Sequence, residues 1–300
     1  MRRSRCATKS FGCLALLLFA GSANAQFTLF SQNALHLGWG KDPYYTKKND
    51  YLTQCVISIA TCPGTANTPD VAIIQEVMNG NEIDTLYAGT PGTYQVYVSE
   101  LQGHSSYVEA YAFLVRNVTT TNTCCSVTPF PTGTNPLVKY TGGGFSRPPI
   151  GLVVAQSGKE TWIVDYHAVF GKVPARRTEV SNVGYAIRAF QSTQMGSLNP
   201  HTVNAFVVGG DWNFPHDDAA FGNIQTNAGV SILIGPTGLT SLKPKGVGLS
   251  SAYDHFVWAP SLINGTSATI LNPPPGGVSL PDFRNGFSDH LGISISVQIK

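Results

Sequence analysis

Several apolar runs in this chain each close on a polar or ionisable residue, and that repetition limits the available folds more than any other feature. The runs are FTLFSQN (27–33), VAIIQE (71–76), TWIVDYH (161–167) and AFVVGGD (205–211), with SAYDHFVW (251–258) carrying Asp254 inside it. Segments of this length, rich in Val, Ile and Phe and bounded by turn residues, form buried strands. A further run, LGISISVQI (291–299), alternates with period two directly after Ser288-Asp289-His290. A single Asp or Asn at a strand end is ordinarily a turn former, and a lone histidine is ordinarily structural. Their recurrence predicts core strands whose ends converge on one polar face. Helical patterns fall between them, over 43–60, over Asn81 to Ala88, and over 175–197 with Val180, Val183, Ile187 and Phe190 on one side. Strands interleaved with a few helices predict a mixed α/β fold in which two sheets pack face to face beneath outer helices.

The first 25 residues read as a removable export signal. Arg2, Arg3, Arg5 and Lys9 form a basic front, CLALLLFA an apolar centre, and Ala23-Asn24-Ala25 a small-residue cleavage site. No later run approaches the ~20 apolar residues that span a bilayer, so stable membrane insertion is not expected. Residues 26–300 form one expected domain, secreted or periplasmic, with no repeat or charged linker to divide them. Without the leader, 15 basic residues face 17 acidic ones. A polyanionic partner must then be held by local arginines and bound cations, not by a global field. Of the four cysteines beyond the leader, Cys55, Cys62, Cys124 and Cys125, any of three pairings is open in an oxidising compartment, and no C-x-x-C spacing favours zinc.

Hydrolysis of a phosphodiester needs a hard cation held by carboxylate and amide oxygens. It also needs one proton acceptor and one proton donor, each oriented by a carboxylate. Glu76, Asp211, Asn213 and Asn33 supply the oxygens, His167 and His290 the proton carriers, and Glu109, Asp254 and Asp289 the orienting acids.

With that set assembled, the chain resembles the endonuclease/exonuclease/phosphatase superfamily. QNALHLG (32–38), IIQEV (73–77), SYVEAYAFLVR (106–116), FSRPPIGLVV (145–154), VDYHA (164–168), GGDWNFP (209–215), AYDHF (252–256) and FSDH (287–290) occur in the family's order. The Tyr-x-Glu of Tyr107 to Glu109 and the Ser-Arg-Pro of Ser146 to Pro148 most resemble the secreted pancreatic-type deoxyribonucleases. That resemblance implies a four-layered α/β sandwich and a divalent cation, Mg²⁺ with Mn²⁺ or Ca²⁺ as alternatives. It implies Glu76 as metal ligand with Asp289 in support, and Asp211 and Asn213 on the phosphate and its water. His290 with Asp254 would be the base, and His167 with Glu109 the acid. Asn33 and Arg147 would grip phosphate oxygens, while Tyr107 would pack on the sugar.

The departures are specific. Positions that hold duplex-gripping arginines in the deoxyribonucleases are Met78 and Leu35 here, and the residue between Tyr107 and Glu109 is the neutral Val108. His36, Lys41, His104, Arg176 and Arg177 are the expected replacements. An exported endonuclease acting on DNA is the leading expectation. A phosphoinositide phosphatase or sphingomyelinase-type hydrolase is the alternative, together with a toxin nuclease subunit working with delivery partners, since SRPPIGLVV also resembles the cytolethal distending toxin nuclease.

Overall fold

The computed structural model describes residues 26–38, 69–78, 94–104, 107–116, 126–127, 135–196, 200–274 and 277–300. The proposed leader, the helices expected over 43–60 and Asn81 to Ala88, Lys41 and all four remaining cysteines lie outside the described residues.

The first sheet contains β1 (Gln26–Leu37), β2 (Val71–Val77), β3 (Tyr94–Val98), β4 (Gln102–His104), β5 (Tyr107–Arg116), β15 (Ile263–Ile270) and β16 (Ile293–Ile299), in the order β15-β16-β1-β2-β5-β3 with β4 also on β5. The second contains β6 (Ser126–Val127), β7 (Val138–Lys139), β8 (Ile150–Gln156), β9 (Lys159–His167), β12 (Phe206–Asp211), β13 (Leu233–Gly235) and β14 (Asp254–Trp258). Its order is β13-β14-β12-β9-β8-β6, with β7 also on β8. A small hairpin pairs β10 (Gln194–Met195) with β11 (His201–Thr202). Both large sheets are mixed: β1 runs parallel to β2, and β9 parallel to β12.

Strand alternation explains the layers. On β9, Ile163 faces the other sheet, whereas Trp162, Val164 and Tyr166 face outward. Leu29, Ile73 and Phe113 of the first sheet meet Leu152, Ile163, Val207 and Phe256 of the second in one core. The outward residues of the second sheet are covered by α1 (Val173–Ser192) and α2 (Ala219–Ala228), and those of the first by α3 (Leu280–Gly286). The result is the expected four-layered sandwich. Among the described residues, no helix is long and apolar enough to cross a membrane.

The helix expected over 175–197 is α1. It begins two residues earlier, with Pro in the first turn, buries Val180, Val183, Ile187 and Phe190, and stops where Thr193 turns extended to enter β10. Helix α2 was absent from the sequence expectation, because the run His216-Asp217-Asp218 that precedes it looks locally like an acidic turn. Asp218 instead caps α2 by accepting from Ala220 N at 2.9 Å, and Gly229 closes the helix in the left-handed region at φ 72. Gly222 lies inside α2, and a Cβ there would meet nothing within 4 Å. Gly222→Ala is therefore expected to stabilise the protein by about 0.5–1 kcal/mol, through higher helix propensity and a less flexible unfolded chain. A denaturant titration checks this.

Candidate active site

Three neighbouring strands of the second sheet place functional residues on one rung. In the ladder β9-β12-β14, Asp211 is paired with His167 on one side and Asp254 on the other. Gly210 makes this approach possible. It sits at φ +139, and a Cβ there would fall 1.9 Å from the carbonyl oxygen of Tyr166. Asn213 returns to the same side through a positive φ of 49, while Trp212 turns away and is fully buried, donating from Nε1 to His255 O at 2.9 Å. His255 likewise points to the helix side, bonded to backbone carbonyls, as alternation with Asp254 requires.

The first sheet supplies the opposite wall. Both β1 and β2 are irregular here: the β1/β2 register shifts between Asn33 and Leu37, and the β2/β5 register between Ile74 and Val77. Leu35, His36 and Glu76 all have positive φ values, of 41, 62 and 58. Such backbone is strained for residues with side chains. It turns Glu76 out of strict alternation and towards Asn33, whose Nδ2 donates to Glu76 Oε1 at 3.0 Å and to Asp211 Oδ2 at 3.1 Å.

Asp211 Oδ2 is the centre of the arrangement. His167 Nε2 lies 3.6 Å from it and His290 Nε2 3.5 Å. Each ring is fixed through its other nitrogen, His167 Nδ1 by Glu109 Oε1 at 2.6 Å and His290 Nδ1 by Asp254 Oδ2 at 2.7 Å. Asn213 Nδ2 adds a contact to His167 Nε2 at 3.3 Å. Both histidines, Asp211, Asn213, Glu76, Arg147, Tyr107 and Asp289 line a single cavity of about 660 Å³, with Glu109 and Asp254 behind their histidines.

The two pairs differ electrically. Burial pushes Glu109 up to about 7, against the pull of Arg147, and pushes His167 down to about 4. Burial also opposes the charged form of His290, but Asp254 and Asp211 outweigh it and hold its pKa well above the usual histidine range. Asp211 itself is raised, chiefly by burial.

Arg147 sits differently from a simple phosphate clamp. Nη1 donates to Glu109 Oε2 at 3.2 Å, Nη2 to Ala168 O at 2.7 Å and Nε to His167 O at 3.3 Å, so it ties the carboxylate of one pair to the backbone of its histidine. Tyr107 is partly exposed, its ring beside the His36 imidazole and the Arg147 guanidinium. Asp289 stands apart from both carboxylate–histidine groups, at the cavity wall 3.8 Å from Arg284 Nη2.

Several supports were not foreseen. Ser288 Oγ donates to Asn33 O at 2.6 Å and accepts from His290 N at 3.0 Å, fastening the segment that carries His290 to β1. Thr240 Oγ1 accepts from Asp254 N at 3.1 Å. The Glu179 carboxylate accepts from the backbone of both Ser146 and Val169, which carry the Arg147 and His167 segments. A carboxylate beside Val180 on the buried face of α1 was the available sequence signal for Glu179.

A divalent cation fits this donor set. Glu76, Glu109, Asp211 and Asp254 are all buried, with Arg147 as the buried guanidinium among them. Glu109 and Asp254 are engaged by imidazoles, which leaves Glu76 and Asp211 as the oxygens facing the cavity, joined through Asn33. Hard oxygen donors carrying excess negative charge match Mg²⁺, Mn²⁺ or Ca²⁺ better than a soft metal.

Comparison with known proteins agrees with this geometry. The family described as Endonuclease/Exonuclease/phosphatase matches residues 45–290, and the chain belongs to it. The class is that of hydrolases acting on phosphate esters. The chain is 25% identical over 266 residues to a protein named Deoxyribonuclease from Thioalkalivibrio sp. (strain K90mix), covering 84% of this chain but only 63% of the relative's length. Among solved structures, an endonuclease/exonuclease/phosphatase from Bacteroides vulgatus superposes with a TM-score of 0.60 at 15% identity, over 92% of this chain and 99% of that one. The human Nocturnin catalytic domain, with a bound sulfate anion, superposes with 0.56 at 13% identity, over 92% and 96%.

Proposed function

We propose that the protein is a divalent-metal-dependent endonuclease that hydrolyses DNA with little sequence preference, working outside the cytoplasm once residues 1–25 are removed. The observation that carries this is Asp211 Oδ2 standing between two histidine Nε2 atoms, each ring locked by its own buried carboxylate. The name of the Thioalkalivibrio relative supports the choice of DNA.

A scissile phosphate entering the cavity between the two rings would meet a proton acceptor on one side and a donor on the other. His167, whose Nε2 faces the donating Asn213 amide nitrogen at 3.3 Å and whose pKa burial pushes down, offers an unprotonated Nε2 to the attacking water; His290, whose pKa is held up against burial by its partner Asp254, offers a proton from Nε2 to the departing oxygen. The resemblance alone implies the reverse order, and the charges around the two rings support this one. Asn33 and Asn213 position the phosphate and the water, Tyr107 packs against the sugar, and Arg147 holds Glu109 in place. Glu76 and Asp211 would hold the cation, which supplies charge neutralisation for the phosphate.

The test is incubation of the protein with supercoiled plasmid, an inositol polyphosphate and sphingomyelin, with Mg²⁺, Mn²⁺ or excess chelator. Plasmid relaxation that chelator abolishes and added metal restores is expected. Intact plasmid under every metal condition, with phosphate released from the inositol or headgroup released from the lipid, would assign the site to the alternative substrates.

A further inference from the structure

Phe170 is the most exposed large apolar side chain among those described, at 76%, yet it lines the catalytic cavity. Folding alone gives no reason to leave a phenyl ring in water there, since burying it would contribute favourably. The backbone leading to it is held firmly. Ala168 N donates to Asp211 O at 2.9 Å, Ala168 O accepts from Arg147 Nη2 at 2.7 Å and from Asn213 Nδ2 at 3.0 Å, and Val169 N donates to the Glu179 carboxylate. The ring is therefore presented from a segment tied to catalytic groups, one residue beyond the last of these bonds.

It also has a built support. The Arg176 guanidinium lies over the Phe170 ring, its central carbon 5.9 Å from the ring centroid, and over the buried Phe214 ring at 5.1 Å. Arg176 Nη1 is anchored to Asn213 O at 2.7 Å. The Arg176 guanidinium thus neighbours both phenyl rings and is fastened to the residue that touches His167, which leaves Phe170 an exposed aromatic surface beside the catalytic groups.

Resting on the nuclease reading above, we propose that Phe170, backed by Arg176, is a stacking platform for the nucleobase next to the scissile phosphate, and that it directs the enzyme towards unpaired nucleotides. A flat aromatic face is sequence-tolerant towards bases, because every base has a π-face. Within a duplex both faces of a base are covered by its neighbours, so the platform is used only where a strand is single or opened.

The experiment measures kcat and KM for the full chain with Mg²⁺ on a short single-stranded oligonucleotide, on its duplex, and on single strands carrying an abasic position in turn along the sequence. Phe170→Ala is expected to raise KM on the single strand about ten-fold, with little change in kcat and little change on the duplex. Phe170→Trp should stay near wild type, and Phe170→Leu, apolar but without a flat face, should behave like Phe170→Ala. One abasic position should cost the wild type a similar factor and cost Phe170→Ala nothing. An unchanged KM in Phe170→Ala, or a Phe170→Leu variant equal to wild type, overturns the proposal. So does unaltered oligonucleotide kinetics combined with lost binding to phosphatidylcholine/phosphatidylserine vesicles, which would make Phe170 a lipid contact. Failure of the wild type itself to cut any strand with Mg²⁺ or Mn²⁺ removes the nuclease reading first, and the platform with it.

Discussion

The His290→Asn variant is expected to lose about 10³-fold in kcat/KM for phosphodiester cleavage, and His167→Asn a comparable factor, the usual range for a positioned proton carrier. Asparagine is the informative replacement because its amide can still donate to Asp254 or Glu109 where the imidazole Nδ1 does, so a buried carboxylate is not left bare. The double variant should be little worse than either single one, because the two rings serve one transition state about the same Asp211 oxygen. The pH profile separates their roles. His167, pushed down to about 4, is already unprotonated in mildly acidic solution, and His290, held well above the histidine range, stays protonated through neutrality. Activity should thus hold across neutral pH, fall on the acid side through His167 and fall on the alkaline side through His290. Residual activity of His290→Asn should lack the alkaline limb; loss of the acid limb in that variant instead would exchange the two roles.

Gly210→Ala should be among the most damaging single-methyl additions in the protein. The added Cβ would collide with the backbone carbonyl of Tyr166 at 1.9 Å, and φ +139 is unfavourable for any side chain. Neither the ladder partner nor the dihedral can yield without parting β12 from β9. A loss of about 3–5 kcal/mol is expected, lowering Tm by about 10 °C for a chain of this size. Gly209→Ala is the control. Its Cβ would press on the Phe256 ring at 2.7 Å and on Ile73 Cδ1 at 2.8 Å, side chains that can shift, so overpacking of about 1–3 kcal/mol is expected. Thermal melts of the two variants side by side decide the matter, and equal losses would refute the backbone explanation.

Much of the site was legible because strand chemistry is local. TWIVDYH and AFVVGGD are short apolar runs that each close on a polar residue, so His167 and Asp211 stand out at buried strand ends. Helix α1 was equally readable from its apolar spacing, whereas α2 was hidden by a short segment whose cap, Asp218, looked like a surface acid. Glu179 and Phe170 were missed because each has an ordinary local appearance, and their importance lies in contacts or exposure that only folding creates.

By itself, the sequence determined which segments become core strands and which residues stand at their ends, because apolar periodicity and turn preference act over a few residues. Only the tertiary structure decided that these ends share a cavity. Glu76 reaches Asn33 through bulged, positive-φ backbone, and Asp211 comes within 3.6 Å of both histidines because two sheets close over a common core. Tertiary structure also drives the two rings in opposite directions: burial and Arg147 push the pKa of His167 down against the pull of Asp211 and Glu76, whereas at His290 the nearby Asp254 and Asp211 outweigh burial and push it up. Burial and Coulomb interaction depend on distances between segments far apart in the chain, and no local pattern carries those distances.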